Sequence, residues 1–364
     1  MASPIRVLVV DDSPLFVETI QSILDEDPEI QVVGTANDGR QAVEETHRLR
    51  PDLITIDVHM PVMDGLEAIG EIMSSCPTPI LVVTSDPRAD GTDLHFEAIG
   101  RGALDVLPKP TVWKGTASEQ EALREHVKLL AGVAVVQRAK PARRRGSISQ
   151  RIARALLKAV NRLGPDRAPS PVHGHVLAFA ASTGGPSALA SVLENLPADF
   201  PAGVLVVQHI FEGFAASLAS WLDRSTSLRV RVAENGDAVS PGSVLIAPDR
   251  LHLTVVPGGR VALSAGSPTD THRPSGNVLF RSLAEIYGRS AIGVMLTGMG
   301  DDGVEGLRAI RSAGGVTLAQ DEDSCVVYGM PRLAHESGAA QQVVSLSEMA
   351  DVVCGLVGVR PKVR

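Results

Sequence analysis

The chain has 364 residues with 44% hydrophobic side chains and a formal net charge of −8, a composition suited to two globular domains with their own cores. No apolar run approaches the roughly 20 residues of a membrane span, the first residues leave no room for a signal peptide, and three scattered cysteines indicate a cytoplasmic protein with reduced thiols. Aromatic residues are only 3% of the chain, which argues against a nucleic-acid surface built on base stacking.

The first 110 residues alternate between short apolar runs, typical of buried strands, and stretches with helical spacing. Five strands with helices between them predict an α/β fold with a doubly wound parallel sheet, in which chemistry collects at the carboxyl ends of the strands. The predicted strands are 5–10, 31–34, 53–57, 80–84 and 104–107, and the clearest helices are 15–24 and 66–73.

Polar residues stand at the ends of four of these strands. Asp11 and Asp12 follow the first strand, and Asp57 ends the third. Thr84 ends the fourth strand, and Lys109 follows the fifth. Carboxylates at one edge repel one another unless a hard cation joins them, and Mg²⁺ with oxygen ligands fits that requirement. A lysine and a hydroxyl nearby suit the oxygens of a phosphoryl group, whereas solvated helix caps would not account for all four strand ends.

These strand ends resemble the receiver domain of two-component response regulators, over residues 1–130. The resemblance implies a flavodoxin-like fold with Asp57 as the phospho-acceptor and Asp11, Asp12 and Asp57 as Mg²⁺ ligands. It also implies Thr84 as the switch hydroxyl and Lys109 as a contact of the phosphoryl group. The matching motifs are Val-Val-Asp-Asp-Ser, Asp-Val-His-Met-Pro-Val-Met-Asp-Gly, Val-Thr-Ser and Leu-Pro-Lys-Pro.

Residues 131–171 have the composition of a basic linker between the domains. The segment 138–167 holds ten Lys and Arg and one acid, a net charge of +9, so the rest of the chain carries −17. Apolar residues recur at helical spacing within it, which predicts a basic amphipathic helix. That helix either packs on a neighbouring domain or contacts an acidic partner or a membrane surface. The apolar positions are Ile148, Ile152, Leu156, Val160 and Leu163.

From residue 175 the alternation resumes, and a second doubly wound parallel sheet, Rossmann-like, is expected within 172–364. The stretch 230–262 has short strand patterns separated by Pro-Gly turns and is expected to form a small antiparallel extension. The other predicted strands are 175–181, 203–208 and 291–296, and the predicted helices are 187–196, 278–287 and 304–312.

Ser182, His209 and the pair Asp301 and Asp302 each follow one of these strands. The turn at Ser182 would project its hydroxyl and aim backbone N–H groups at one point, although a phosphate-binding nest or a plain turn has the same pattern. A serine nucleophile needs an imidazole base and a carboxylate that orients the imidazole. The three strand ends therefore make a Ser-His-Asp triad a candidate.

Each member of that triad has an alternative. His252 and His272 compete with His209, and Asp301 competes with Asp302. A histidine after a strand can also be a structural residue that only makes a hydrogen bond. An aspartate before a helix can also be a simple N-cap. The chain order Ser-His-Asp differs from the Ser-Asp-His order of α/β-hydrolases, but triads are recognised by geometry and not by order.

The second half resembles the protein-glutamate methylesterase domain over residues 172–358, and that domain behind a receiver is the architecture of the CheB family. The resemblance implies Ser182 as nucleophile, His209 as base, Asp302 as orienting carboxylate, and the backbone at Thr183 and Met299 as oxyanion site. Gly-Asn at 276–277 departs from the apolar residue and aspartate common in the family. The matching motifs are Ala-Ala-Ser-Thr-Gly-Gly-Pro, Val-Val-Gln-His-Ile, Ala-Pro-Asp-Arg-Leu-His-Leu, His-Arg-Pro-Ser, Leu-Thr-Gly-Met-Gly-Asp-Asp-Gly and Ala-Gln-Asp-Glu-Asp-Ser-Cys-Val-Val-Tyr-Gly-Met-Pro.

Both resemblances together imply phosphorylation-activated hydrolysis of glutamate γ-methyl esters on chemoreceptors, with receptor-glutamine deamidation as a second activity, in chemosensory adaptation. They imply chemoreceptors as substrates, a chemotaxis histidine kinase as phosphodonor, Mg²⁺ for the receiver and no cofactor for the esterase reaction. We expect a monomeric protein. Two other functions stay open: a phospho-switch binding module with a silent esterase domain, and a hydrolase of small soluble esters.

Overall fold

The computed structural model describes residues 3–84, 94–110, 116–135, 174–267 and 269–362. The chain divides into two units, Met1–Pro141 and Ala142–Arg364, each with its own sheet. The predicted basic connector and its amphipathic helix lie outside the described residues, apart from 131–135. Within the described ranges, none of the helices is long and apolar enough to cross a bilayer.

The first unit is a parallel sheet with helices between its strands. Its elements are β1 (Ile5–Val10), α1 (Pro14–Leu24), β2 (Ile30–Ala36), α2 (Gly39–Leu49), β3 (Leu53–Ile56), α3 (Gly65–Ser75), β4 (Ile80–Thr84), α4 (Leu94–Arg101), β5 (Asp105–Pro108) and α5 (Ala117–Leu130). The strand order is β2-β1-β3-β4-β5 and all neighbours are parallel, which is the flavodoxin-like order. The order reverses between β1 and β3, so a ligand crevice is expected at their carboxyl ends.

The prediction for this unit is confirmed, with every predicted strand present to within two residues. The strands β3 and β4 are buried along their whole length and are apolar apart from one threonine each. Strands covered by helices on both faces are expected to be continuously apolar. That pattern made them recognisable from the sequence alone.

Val62, in the loop after β3, has a conformation that a β-branched residue rarely adopts. Its φ is 67°, its side chain is 77% exposed, and Met63 N donates to Pro61 O at 2.8 Å across it. This is a three-residue turn with positive φ at its centre. An L-amino acid in this conformation is strained by roughly 1–2 kcal/mol. Because the Val62 side chain is exposed, it gains no packing energy that would offset this strain.

We therefore expect Val62→Gly to raise the free energy of unfolding of the first unit by about 0.5–1 kcal/mol, because the relieved strain exceeds the added chain entropy of glycine. Urea unfolding followed by circular dichroism measures this. Glu71→Gly, at an exposed position inside α3, is the matched control and is expected to lower stability by about 1 kcal/mol. A loss of stability in both variants would contradict the strain at Val62.

The second unit has a larger parallel sheet. Its elements are β6 (Val176–Ala181), α6 (Gly185–Leu193), β7 (Gly203–Gln208), α7 (Ala215–Ser225), β8 (Arg229–Val232), β9 (Ser243–Ile246), β10 (His252–Val256), β11 (Arg260–Ser264), α8 (Gly276–Ile286), a short 3₁₀ helix (Gly288–Ser290), β12 (Ala291–Met295), α9 (Val304–Ser312), β13 (Val316–Gln320), α10 (Met330–Glu336), β14 (Gln342–Val344) and α11 (Leu346–Leu356). The order is β14-β13-β12-β6-β7-β9-β8, a Rossmann-like order with an added outer strand.

The antiparallel extension is confirmed for β10 and β11, which form a separate hairpin. It is wrong for β8 and β9, which join the main sheet and pair parallel to each other. The reason is the connection 233–242, which is long enough to return the chain to the start of the next strand. A tight turn, which would force antiparallel pairing, is found only between β10 and β11 in this stretch.

The central strand β6 lies between β12 and β7. The chain proceeds from β6 to β7 on one side and later returns to place β12 on the other side. The carboxyl ends of these three strands therefore surround the switch point of the sheet, where α/β proteins bind their ligands.

Candidate functional sites

Ser182 lies at the turn between β6 and α6. Its N–H donates to Thr297 O at 3.0 Å, and its carbonyl accepts from Gly185 N at 2.7 Å. Gly184 has φ +74°, and a Cβ there would lie 2.5 Å from the Val326 side chain. Only glycine fits this turn, which places the Ser182 hydroxyl beyond the carboxyl end of the central strand and beside a helix N-terminus.

The loop after β12 lies directly against Ser182. A Cβ on Gly298 would be 2.6 Å from Ser182 Cβ, so a larger residue would push this loop away. The backbone N–H groups of Thr183 and Met299, which adjoin these two residues, donate to no group in the described part of the chain. Unpartnered N–H groups beside a hydroxyl nucleophile are the donors that an oxyanion requires.

His209 follows β7 as Ser182 follows β6. Ala181 and Gln208 are partners in the parallel register, so Ser182 and His209 leave adjacent strands that are about 4.8 Å apart. The buried Gln208 side chain joins their backbones, because its Nε2 donates to Ser182 O at 2.8 Å and to His209 O at 2.9 Å. In the described structure Ser182 Oγ and His209 make no hydrogen bond with each other; such bonds often tighten only when substrate binds.

Asp302 is buried and receives four hydrogen bonds. Oδ2 accepts from His209 Nε2 at 2.8 Å and Gly276 N at 2.6 Å. Oδ1 accepts from Ser275 Oγ at 2.6 Å and Asn277 N at 3.1 Å. Burial alone would raise the pKa of Asp302, but the hydrogen bonds from His209 and Ser275 outweigh it and hold the pKa well below its ordinary value. The carboxylate is therefore ionised at neutral pH.

An ionised Asp302 can only accept, so the hydrogen that it receives from His209 is on Nε2. The lone pair of the neutral imidazole is then on Nδ1, which is the nitrogen able to take a proton. The more familiar arrangement has the carboxylate at Nδ1 and the basic lone pair on Nε2. In His209 the roles of the two ring nitrogens are therefore reversed, with Nε2 bound to the carboxylate and Nδ1 carrying the basic lone pair.

The alternative acids and histidines that the sequence left open have different surroundings in the structure. Asp301 is exposed and Asp302 is the acid that contacts His209. His252 is buried and pairs with Asp270, at 2.9 Å between Nε2 and Oδ2. The His272 ring stacks on that of His209, with the ring centroids 4.7 Å apart.

The Gly-Asn departure at 276–277 contributes to the support of Asp302. Both backbone N–H groups donate to its carboxylate. The Asn277 side chain accepts from Gly306 N at 2.8 Å, within the first turn of α9. The residue therefore joins α8 to α9.

The first unit brings its predicted residues together at the carboxyl edge. Lys109 Nζ lies 2.7 Å from Asp11 Oδ2 and 2.7 Å from Asp57 Oδ2, and 4.4 Å from the centre of the Phe16 ring. Burial raises the pKa of Asp11 in spite of Lys109. For Lys109, burial acts to lower the pKa, but the hydrogen bonds to the two carboxylates outweigh it and raise the pKa.

This carboxylate cluster fits a magnesium ion and a phosphoryl group. Oxygens of Asp11, Asp12 and Asp57 all lie within 4.8 Å of one another, and hard oxygen donors are what Mg²⁺ prefers. The hydroxyl of Thr84 is buried and has no hydrogen-bond partner among the described residues. A buried hydroxyl without a partner is costly unless a ligand completes it, and a phosphoryl oxygen at Asp57 would do so.

Sequence reasoning missed three residues that support these sites. Gln208 is the last residue of a buried strand, where a polar side chain is unusual, and that was its only signal. Ser275 precedes a helix and has the position of an N-cap, so its bond to Asp302 was hidden behind an ordinary role. Phe16 lies on a predicted helix, and nothing in its spacing indicated a contact with Lys109.

Comparisons with known proteins agree with both units. The family model for CheB methylesterase matches residues 177–353, and that for the response regulator receiver domain matches residues 7–115. A protein-glutamate methylesterase/protein-glutamine glutaminase of Anaeromyxobacter dehalogenans is 45% identical over 95% of both chains, and one of Symbiobacterium thermophilum is 41% identical over 98% of both. The solved CheB methylesterase catalytic domain of Thermotoga maritima is 39% identical, with a TM-score of 0.50, over 51% of this chain and all of that one.

Proposed function

This chain belongs to the CheB family of methylesterases with a receiver domain, and we propose from that premise that it hydrolyses glutamate γ-methyl esters on chemoreceptors. The observation that carries the proposal is the hydrogen-bonded pair of the buried Asp302 and the half-buried His209, at the strand ends beside Ser182. A serine with an oriented imidazole and free backbone donors nearby has the parts of an acyl-transfer site.

In the proposed mechanism, Ser182 Oγ attacks the ester carbonyl while Nδ1 of His209 takes the hydroxyl proton. The negative charge that develops on the carbonyl oxygen is met by the N–H groups of Thr183 and Met299. Collapse of the intermediate breaks the bond to the methoxy oxygen, and His209 returns the proton so that methanol leaves. Water, deprotonated by His209, then attacks the acyl-enzyme and releases the glutamate side chain and Ser182.

The same machinery accepts a glutamine side chain, with ammonia as the leaving group in place of methanol. The names of the relatives include protein-glutamine glutaminase, which supports this second activity. An amide nitrogen leaves less readily than a methoxy group, so deamidation is proposed as the slower reaction. It is measured as ammonia released from an unmethylated receptor fragment.

Control of the esterase is assigned to the receiver. Asp57 Oδ2, already beside Lys109, is the proposed phospho-acceptor, and Asp11, Asp12 and Asp57 are the residues that would hold Mg²⁺. The ion supplies neutralisation of the phosphoryl charge when bound. Lys109 and the Thr84 hydroxyl are placed to hold phosphoryl oxygens, and their rearrangement is the proposed signal that raises esterase activity.

The test of the function is methanol release from a methylated receptor fragment, with and without a small-molecule phosphodonor and Mg²⁺. The proposal requires turnover that the phosphodonor raises. Turnover of small esters with none on the receptor fragment would favour a hydrolase of soluble esters. Phosphorylation without any hydrolysis would favour a binding module with a silent esterase domain.

Asp57→Ala is expected to remove the stimulation by phosphodonor completely, because no carboxylate remains to accept the phosphoryl group, while methanol release without phosphodonor stays measurable. Asp25→Ala, an exposed acid at the end of α1, is the matched control and should be stimulated like the wild type. Stimulation of Asp57→Ala to the wild-type level would show that another residue accepts the phosphoryl group.

A further inference from the structure

A second histidine covers one face of the proposed base. The rings of His209 and His272 are stacked, with centroids 4.7 Å apart and planes 11° from parallel. The edge of the His209 ring is fixed separately, through Nε2 and Asp302. Edge and face contacts together restrict the rotation of a ring that a single hydrogen bond would leave free to pivot.

His272 lies in the loop between β11 and α8, which is anchored by hydrogen bonds that do not involve the stack. In the middle of this loop, Asp270 Oδ2 accepts from Ser267 N at 2.7 Å and from the buried His252 Nε2 at 2.9 Å. At its end, Ser275 Oγ donates to Asp302 Oδ1. His272 lies between these two anchors, which hold the loop backbone that carries it.

The charged groups around His272 favour an uncharged ring. Its ring stacks on His209, and the carboxylates of Asp301 and Asp302 act on it electrostatically. Burial first, and repulsion by His209 second, hold its pKa below the ordinary value, although the two acids oppose this. An uncharged aromatic face can stack on an imidazole in both its neutral and its protonated form, since it attracts a cation and does not repel it.

We propose that His272 is a positioning residue, whose stacked ring holds the His209 imidazole in the plane where Nε2 meets Asp302 and Nδ1 is presented to Ser182. The proposal rests on the proposed function in that it assigns His209 the role of base. It also explains why the loop bearing His272 ends at the serine that supports Asp302: one segment contacts the base on its face and the carboxylate on its far side.

The kinetic test compares His272→Ala with His272→Phe on the methylated receptor fragment at neutral pH. We expect the alanine variant to lose roughly 10- to 100-fold in kcat, the scale of a misplaced catalytic group, with KM within about twofold. Phenylalanine restores an aromatic face without an ionisable nitrogen, so its kcat should return to within about threefold of the wild type. His335→Ala, an exposed histidine on α10, is the control and should leave both constants unchanged.

Two results of these kinetic measurements would overturn the proposal. A raised KM with unchanged kcat in the alanine variant would make His272 a substrate contact, and an equal loss in the alanine and phenylalanine variants would mean that its nitrogens act chemically. If the alanine variant folds poorly, His272→Leu, which keeps apolar volume without an aromatic face, takes its place and should show the same loss in kcat.

The ¹⁵N chemical shifts of His209 test the stack without any turnover. In the wild type and in His272→Phe we expect one tautomer, with hydrogen on Nε2; in His272→Ala the two nitrogen shifts should move towards their average. Unchanged shifts in the alanine variant would overturn the proposal. A wild type that shows one tautomer but releases no methanol would instead refute the proposed function and leave the stack intact.

Discussion

Replacing Ser182 with alanine is expected to lower kcat for methanol release by about 10⁴-fold or more, with the fold retained. Only the hydroxyl oxygen is removed, and the Ser182 backbone keeps its bonds to Thr297 and Gln208. The residual activity should come from direct attack by water on the ester, with the free N–H groups of Thr183 and Met299 stabilising the oxyanion that forms. The measurement is single-turnover methanol release from a methylated receptor fragment, together with thermal unfolding.

Ser191→Ala is the matched control for that experiment, since it removes a serine hydroxyl from the same segment, in α6, and should leave kcat unchanged. The double variant Ser182→Ala/His209→Ala should be no slower than Ser182→Ala alone within a few-fold, because a base without its nucleophile contributes little. Substantial turnover by a well-folded Ser182→Ala protein would refute the serine mechanism. Additive losses would show that the two residues do not act as one unit.

Most of the fold could be predicted because its strands are buried on both faces. The run Val176–Ala181 is apolar at every position, and the run Gly203–Gln208 has one polar side chain, at its last residue. Ser182 and His209 follow directly after them. The direction of β8 and β9 could not be predicted in the same way. Strands this short show little periodicity, and whether two of them run parallel depends on the path of the connection between them through space.

The residues of the candidate site could be predicted from the sequence, but the contacts that hold them in position could not. That a polar residue follows each strand is visible in the chain, whereas the order β12-β6-β7 that makes these ends neighbours is a property of the assembled sheet. His209 directly follows a strand, but what His252 and His272 contact is visible only in the structure: Asp270 in one case and the His209 ring in the other. Such contacts join residues far apart in the chain, and no local pattern records them.

Asp302→Asn is expected to lower kcat for methanol release by about 10³- to 10⁴-fold. All four groups around Asp302 donate hydrogen bonds to it, from His209, Ser275, Gly276 and Asn277. An asparagine offers one acceptor and one donor, so in either orientation its NH₂ faces a backbone N–H that cannot accept. The imidazolium that forms on His209 also loses its counter-charge. Asp301→Asn, the exposed neighbour, should retain near-normal kcat, and an equal loss in both variants would contradict the assignment of Asp302.

The same substitution has a consequence for stability, because it leaves a buried donor unpaired. We expect the free energy of unfolding of Asp302→Asn at neutral pH to fall by about 1–3 kcal/mol. The lowered pKa of Asp302 means that its contribution is complete above the ordinary carboxyl value of 3.8 and is lost as the pH falls below that value towards the native one. The difference between wild type and variant should therefore be largest at neutral pH and shrink below about pH 4 in urea titrations. A difference that stays constant down to pH 3 would mean that the ionised carboxylate is not what these four donors stabilise.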